Sequence, residues 1–159
     1  MARASRQAAV IPYRVHDARV EIALVTTFDG RRWVVPKGSI DDGEQARDAA
    51  IRETEEEAGL LGELRPRSMG QYRYSKQKET YLVDVYAMRV TAVLDYWPEA
   101  KYRHRRWLAA RDAIAKLRPE LHRFVRATER LARPRAAALP SGNARTGRRA
   151  GSRRRVSPK

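Results

Sequence analysis

A short acidic stretch, RETEEEAGL at residues 52–60, constrains this chain more than any other, because four of its nine positions are glutamate. The preceding residues favour a helix that ends at Gly59, since glycine readily adopts the left-handed conformation of a helix terminus. On a helix, like charges three or four residues apart, such as Glu53 and Glu57, repel each other by a few tenths of a kcal/mol per pair. No lysine or arginine follows any of these glutamates at a spacing of four. The pattern therefore predicts that a positive charge from outside the chain compensates them.

The glutamates divide between two faces of the predicted helix. At about 100° per residue, Glu53, Glu56 and Glu57 lie within about 100° of one another. Glu44 and Glu55 point to the opposite side. Three carboxylates on one surface form an oxygen-only site that suits magnesium or manganese rather than zinc. The spacing alone leaves open the alternative of a solvated acidic face.

The longer segment from Gly38 to Leu60, GSIDDGEQARDAAIRETEEEAGL, resembles the Nudix box, G-x5-E-x7-R-E-U-x-E-E-x-G-U, where U is a bulky aliphatic residue. Thr54 stands where an aliphatic residue is expected, and it keeps a methyl group for packing. Such a set of fixed positions is a highly specific signal. The positions that match at the required spacing are Gly38, Glu44, Arg52, Glu53, Glu56, Glu57, Gly59 and Leu60.

The resemblance implies a metal-dependent pyrophosphohydrolase, with Mg²⁺ or Mn²⁺ as cofactor, on an α/β/α sandwich with a mixed β-sheet. It implies that Glu53 and Glu57 are metal ligands and that Glu56 is the general base or a further ligand. The region of Gly38 would offer backbone contact to the metal or to phosphate. A distal carboxylate from Asp95 or Glu99 is a further candidate ligand. The role of the metal would be to neutralise the charge that repels a nucleophile from a diphosphate.

Three box residues are implied to be structural rather than catalytic. Arg52 would hold the loop and the helix together through Glu44, and Gly59 belongs to the motif at the end of the helix. Asp42 is a candidate helix cap, with Gln45 completing a pattern like a capping box. The helix is therefore predicted from about residue 44 to residue 58.

The rest of the chain alternates between strand and helix patterns. A second helical region is predicted from Ala109 to Ala132 with a break near Pro119. The order strands, helix, strands, helix indicates an α/β fold with a mixed sheet between helices. Strands are predicted at residues 8–15, 20–28, 31–36, 68–74, 80–93 and 107–108.

Segments on both sides of the box narrow the substrate class. RRWVVPKGSI and VTAVLDYWPEAKYRHRRWLAARDAI resemble the diphosphoinositol polyphosphate and diadenosine polyphosphate hydrolase branch of the family, and the resembling region covers roughly residues 8–131. Such substrates are dense in phosphate and require several cations around the metal. For the basic residues, the alternative is that they are solvated surface charges. For the function, the alternative is a triphosphatase that sanitises the nucleotide pool. The candidate phosphate ligands are Arg32, Lys37, Lys76, Lys78, Arg103, His104 and Arg105.

The net charge of +15 is concentrated at the C-terminal end. Residues 133–159 contain nine basic residues and no acidic one, whereas residues 1–132 contain 25 basic and 19 acidic residues, a balance of +6. We predict a folded hydrolase domain over 1–132 and a disordered Arg-rich tail over 133–159 that makes weak nonspecific contact with polyanions or nucleic acid. A nucleic-acid-binding or RNA-end-binding function through this tail is a further alternative.

Two absences in the sequence bear on location. The chain has no cysteine, which excludes disulfides and thiolate metal sites and fits a reducing compartment. Neither an apolar run of about 18–20 residues nor a signal-peptide core is present. The sequence therefore predicts a soluble cytoplasmic protein with no membrane association.

Overall fold

A computed structural model describes residues 3–134, which form eight strands and three helices. Most of the predicted tail, residues 135–159, lies outside the described residues, so the boundary at 132/133 stays a prediction. Within residues 3–134, no helix is long and apolar enough to cross a membrane. The elements are β1 (Ser5–His16), β2 (Arg19–Thr26), β3 (Trp33–Val34), β4 (Lys37–Ser39), α1 (Ala46–Ala58), β5 (Leu60–Leu64), β6 (Gly70–Lys76), β7 (Glu79–Val93), β8 (Arg105–Ala109), α2 (Ala110–Lys116) and α3 (Pro119–Ala132).

The strands form one mixed sheet around a parallel pair. The main path runs β3-β2-β1-β7-β5, and β1 pairs with β7 in parallel over nine residues from Ser5↔Tyr81 to Tyr13↔Arg89. The other pairings are antiparallel, with β4 on β1, β6 on β7 and β8 on β2. The centres of β1 and β7 are continuously buried, as expected for strands that are covered on both faces. The predicted mixed sheet is confirmed.

Side-chain alternation along β1 places helices on both faces of the sheet. Ile11 belongs to the large cluster that contains Phe124 and Val125 of α3, whereas its neighbour Val10 packs with Ala49 and Ala50 of α1. Successive strand residues point to opposite faces, so α1 covers one face while α2 and α3 cover the other. The α/β/α arrangement implied by the resemblance is confirmed.

The start of α1 differs from its prediction. The helix begins at Ala46, after an extended Gln45 that makes no side-chain capping bond, so the proposed Asp42 capping box is wrong. Glu44 precedes the helix, and its Oε1 accepts a hydrogen bond from the Asp41 N–H at 3.0 Å. The Asp41 N–H of the loop is therefore satisfied by a glutamate that is also part of the box.

Two short strands were not predicted, and both border the acidic helix. β4 pairs with β1 from Gln7↔Ser39 to Ala9↔Lys37, and β5 follows α1 directly after Gly59, which has φ of 62°. Both strands are too short to show a period in the sequence. The break near Pro119 is confirmed, because proline occupies the first turn of α3, where its missing N–H costs nothing.

Candidate active site

The loop before α1 lies directly against the acidic face of the helix. A Cβ atom built on Gly38 would lie 2.1 Å from Cδ of Glu53. No side chain fits at Gly38 while Glu53 keeps its position. The glycine is therefore required so that the backbone of β4 approaches the carboxylate of α1.

Glu57 is the most enclosed carboxylate of the cluster, with 11% of its side chain exposed. Its Oε2 accepts a hydrogen bond from the Lys37 N–H at 3.1 Å, and its Oε1 accepts one from Nη2 of Arg103 at 3.1 Å. Burial raises the pKa of Glu57 to about 7, although Arg103 and the Lys37 N–H both lower it. Repulsion from Glu53 and Glu99 raises this pKa further.

Glu53 and Glu56 complete the acidic face. Glu53 accepts a hydrogen bond from Nη1 of Arg52 at 2.8 Å, and burial raises the pKa of its carboxyl group despite this partner. Glu56 is more open, with 43% of its side chain exposed and its Oε2 3.6 Å from Nη1 of Arg52. Glu55, on the other side of the helix, is exposed. The helix therefore presents two enclosed carboxylates and one that water can reach.

Arg52 joins the loop to the helix. Its Nε and Nη2 donate to the two carboxylate oxygens of Glu44 at 3.0 and 2.9 Å, and Nη2 also donates to the Ser39 carbonyl at 3.1 Å. The hydrogen bond from Arg52 is the main cause that lowers the pKa of Glu44. These hydrogen bonds join the loop to the helix, as the predicted structural role of Arg52 and Glu44 requires.

A fourth carboxylate reaches the cluster from the loop between β7 and β8. The Glu99 N–H donates to the Glu56 carbonyl at 3.0 Å, and Nε1 of Trp97 donates to the Glu57 carbonyl at 3.0 Å. These bonds attach the loop to the last turn of α1. Oε1 of Glu99 then lies 3.5 Å from Nη2 of Arg103. Of the two distal candidates weighed from the sequence, Glu99 is the one that the fold brings to the helix.

Positive charge for the glutamates also comes from within the chain. Arg52 precedes them on the helix, four residues before Glu56, and Arg103 approaches Glu57 from 46 residues away. Arg52 and Arg103 therefore supply part of the compensating charge from within the chain, whereas the predicted charge from outside the chain stays a prediction. A search for cations after the glutamates misses both, because one lies before them and the other is brought in by tertiary structure.

The cluster fits a hard divalent cation by the type of its donors, because they are carboxylate oxygens together with the nearby backbone of Gly38. The pKa values of Glu53 and Glu57 are raised by burial, so extra positive charge would stabilise their ionised forms. Within residues 3–134, no three acidic, histidine or cysteine side chains are already arranged as a metal cage. Arginine guanidinium groups hold Glu53 and Glu57 instead.

Glu57 is one of the residues that line a cleft of about 1060 Å³. Its lining contains seven basic side chains against three acidic ones, a balance of +4, and four aromatic rings. The acidic side chains are Asp29, Glu57 and Glu120; the basic ones are Arg31, Arg32, Lys37, Lys76, Arg103, Lys116 and Arg118; the aromatic ones are Phe28, Trp33, Tyr72 and Tyr74.

Four of the predicted phosphate ligands line this cleft: Arg32, Lys37, Lys76 and Arg103. Nζ of Lys37 donates to the Tyr74 hydroxyl at 3.0 Å and lies 4.9 Å from the centre of its ring. The structure thus gathers cations from the β2–β3 loop, β4, β6 and the β7–β8 loop around one space.

The other three predicted ligands lie elsewhere. Lys78 occupies the β6–β7 turn with φ of 66°, and His104 is exposed while its backbone pairs with Thr26. Nη1 of Arg105 donates to the carbonyls of Ala58 at 2.7 Å and Leu94 at 3.0 Å. These contacts tie the end of α1 to the loop, so we leave Arg105 out of the phosphate-binding set.

Sequence reasoning missed the cations that the C-terminal helices add to the cleft. Lys116 and Arg118 lie at the α2–α3 junction, far from the box in sequence. The guanidinium of Arg118 lies 4.8 Å from the centre of the Tyr74 ring. One sequence signal could have pointed to this side of the cleft. Tyr72 and Tyr74 stand at alternate positions of β6 and so lie on one face of that strand, the face that Arg118 contacts.

Fold and site together define an α/β/α sandwich protein with a carboxylate cluster at the edge of a basic cleft. A family model for the NUDIX domain matches residues 5–128, and the chain therefore belongs to the Nudix family.

Named relatives and a solved structure resemble this chain over most of that region. Nudix hydrolase 4 of Arabidopsis thaliana is 34% identical over 113 residues, which cover 65% of this chain and 54% of the relative. Human diphosphoinositol polyphosphate phosphohydrolase 3-beta is 36% identical over 100 residues, or 60% of this chain and 57% of the relative. The chain thus spans little more than half the length of these curated relatives. A C. elegans Ap4A hydrolase structure shares the fold with a TM-score of 0.69 at 22% identity, covering 81% of this chain and 98% of that chain.

Proposed function

We propose that this protein is a divalent-metal-dependent pyrophosphohydrolase that cleaves a phosphoanhydride bond in a phosphate-rich small molecule. The observation that carries the proposal is that Glu57, which shares its helix face with the enclosed Glu53, lines a cleft with a charge of +4. A diphosphate is polyanionic, so the cleft attracts it, while the carboxylates supply the ligands that Mg²⁺ or Mn²⁺ prefers.

Each residue of the cluster has a separate task in this proposal. Glu53 and Glu57, with Glu99 from the loop, would hold the metal, which neutralises phosphate charge and polarises a phosphoryl oxygen when bound. Glu56 is the carboxylate most open to solvent, so it would orient a water molecule and accept its proton. The water oxygen forms a bond to phosphorus, the anhydride P–O bond breaks, and the leaving phosphate keeps the bonding electrons. Lys37 stands beside the carboxylate cluster and would hold a phosphate there.

For the substrate, we infer a diphosphoinositol polyphosphate or a diadenosine polyphosphate. Support comes from the seven basic side chains of the cleft, which can contact several phosphate groups at once. The resemblance of the flanking segments points to the same branch. A triphosphatase of the nucleotide pool is the second candidate, since the box itself serves both chemistries.

A substrate panel with Mg²⁺ tests this choice. We expect kcat/KM for a diphosphoinositol polyphosphate or a diadenosine polyphosphate to exceed the values for plain and oxidised nucleoside triphosphates. A matched pair of variants adds a second criterion: Lys76→Gln should raise KM for the preferred substrate, whereas Lys78→Gln, from the turn outside the cleft lining, should not. A higher kcat/KM for a triphosphate would favour the sanitising enzyme and leave the pyrophosphohydrolase assignment intact.

Two wider inferences accompany the proposal. We infer a cytoplasmic location from the cysteine-free composition and a weak, nonspecific contact of the Arg-rich tail with polyanions. The contact of the tail with polyanions is separate from the enzymatic function, because the cleft and the carboxylate cluster lie within residues 3–134.

A further inference from the structure

Arg103 occupies an unusual position, because it is a nearly buried cation inside the carboxylate cluster. Only 9% of its side chain is exposed, and Nη2 lies 3.1 Å from Glu57 and 3.5 Å from Glu99. Both oxygens of Glu57 already have partners, since Oε2 accepts the Lys37 N–H. A metal ion that binds Glu57 therefore competes with this guanidinium for the same carboxylate.

The contacts of Arg103 are incomplete in this position. Nη1 donates to the Thr26 carbonyl at 2.8 Å, but Nε is buried and has no hydrogen-bond partner among the described residues. A buried donor without a partner is unfavourable, so it destabilises the state in which Arg103 is paired with Glu57 and Glu99. The arrangement therefore satisfies the carboxylates better than it satisfies the arginine.

The backbone of Arg103 is held in place, while its guanidinium packs on an exposed ring of the cleft. The Arg103 N–H donates to the Glu99 carbonyl at 3.0 Å, and Glu99 is itself bonded to α1, so the main chain is anchored. The guanidinium stacks 4.5 Å from the centre of the Phe28 ring. Phe28 is 60% exposed, and both side chains line the basic cleft. A guanidinium released from Glu57 thus already faces the space where a phosphate would lie.

We propose that Arg103 is an exchangeable counter-ion: it holds Glu57 and Glu99 before the metal binds, and the metal displaces it into the cleft, where it binds a substrate phosphate. This inference rests on the proposed function, because it takes Glu57 as a metal ligand. Its consequence is that metal binding prepares the phosphate site. In the metal-free state the guanidinium compensates the enclosed Glu57, and once metal and substrate are both bound each cation again has an anionic partner.

Metal affinity measured without substrate tests the exchange. We would titrate Mn²⁺ into the full chain at one fixed pH, the same for every variant, by calorimetry or by the electron paramagnetic resonance of free Mn²⁺. A competitor that occupies a site in nine-tenths of the molecules weakens apparent affinity about tenfold, so Arg103→Gln should bind Mn²⁺ several-fold to tenfold more tightly than wild type. Arg103→Lys, which keeps the charge, should lie between them.

The control removes the same charge from the same cleft. Arg31 lines the cleft and, among the described residues, has no ion pair with Glu57 or Glu99. Arg31→Gln should therefore leave the Mn²⁺ affinity within about twofold of wild type, since a distant exposed charge is largely screened. Equal or weaker Mn²⁺ binding by Arg103→Gln would overturn the exchange, provided that Glu57→Gln abolishes Mn²⁺ binding in the same assay. If Glu57→Gln instead binds Mn²⁺ as tightly as wild type, the proposed metal site is wrong, and the exchange is wrong with it.

A second measurement uses the wild-type protein and so does not depend on the variants folding. In a ¹⁵N spectrum of arginine side chains, the Nε–H signal of Arg103 can be identified by its contact with the Phe28 ring. Addition of Mg²⁺ alone should shift this signal, and methylenediphosphonate added afterwards should shift it again. A signal that Mg²⁺ leaves unchanged at saturation would contradict displacement of Arg103.

Discussion

At the scale of single residues, the site depends on one backbone approach and on buried carboxylates. Gly38 lets β4 lie against Glu53, and the N–H of the preceding residue, Lys37, donates to Glu57. The spacing of the box predicted which glutamates share a face, because helical geometry is local. The partners of those glutamates were not predictable in the same way, since Arg103 reaches Glu57 only through the tertiary fold.

We expect Gly38→Ala to impair metal binding more than stability. The new Cβ would meet the end of the Glu53 side chain, which can rotate away at small cost to folding. The displaced carboxylate would no longer lie beside the loop, so Mg²⁺ affinity should fall at least about tenfold, as for other changes that misplace a ligand. Calorimetric Mg²⁺ titration and thermal unfolding of the same variant check this. A large loss of stability with unchanged Mg²⁺ affinity would contradict it.

The raised pKa of Glu57 predicts how stability depends on pH. The folded protein keeps a proton on Glu57 up to about pH 7, whereas the unfolded chain loses it near the ordinary value of 4.5. This contribution to the free energy of unfolding is therefore fully present below pH 4.5 and is lost as pH rises through 7. Mg²⁺ favours the ionised form, so the increase in melting temperature that Mg²⁺ produces should be larger at about pH 8 than at about pH 6.

Thermal unfolding with and without Mg²⁺ across this range measures the effect. Glu57→Gln serves as the control, because its side chain cannot ionise and the pH dependence of the Mg²⁺ effect should largely disappear. An Mg²⁺ effect of the same size at both pH values in the wild type would contradict the assignment of Glu57 as a ligand.

At the scale of elements, the long periodic segments were predictable and the short ones were not. β1, β7 and α3 carry enough residues for an apolar period to appear, and their side chains fill the core. β4 and β5 have three and five residues, and their positions follow from pairing with β1 and β7. The start of α1 was placed too early because Glu44 serves Arg52 and the loop instead of the helix.

The end of α1 depends on Arg105, and this gives a prediction at the same scale. Arg105 donates to the carbonyls of Ala58 and Leu94 and stacks 4.3 Å from the centre of a Trp97 ring. Arg105→Met keeps the stem but leaves these carbonyls without their donor, which costs about 1–3 kcal/mol for a buried group. The melting temperature should therefore fall by several degrees, while KM of the folded variant stays close to that of wild type. A rise in KM without a loss of stability would restore Arg105 as a phosphate ligand.

At the scale of the whole molecule, charge is divided between a cleft and a terminal segment. The cleft carries +4 next to the carboxylate cluster, and residues 135–159 carry eight further basic residues and no acidic one. The composition of the sequence predicted the basic terminal segment. It did not predict the charge of the cleft, because the cleft gathers side chains from six separate parts of the chain. Only the folded arrangement shows that Lys116 and Arg118 join the cations near the box.

Removal of residues 135–159 should separate these two charged regions. We expect turnover of small substrates to stay nearly unchanged, because the cleft and the cluster lie within residues 3–134. Affinity for a polyanion such as RNA should fall, and the affinity of the full chain should weaken steeply with salt through counterion release. Unfolding or loss of turnover in the shortened chain would show that the domain boundary is wrong.

The central claim is that the carboxylates on one face of α1 bind a metal for phosphoanhydride hydrolysis. The most direct measurement is Mg²⁺-dependent phosphate release by Glu57→Gln, Glu56→Gln and Glu55→Gln, each checked for folding. Loss of a ligand or of a general base should lower kcat by at least about 100-fold in the first two variants. Glu55→Gln, exposed on the opposite face, should retain nearly full turnover. Equal losses in all three variants, or turnover by the wild type that is insensitive to Mg²⁺ removal, would contradict the account.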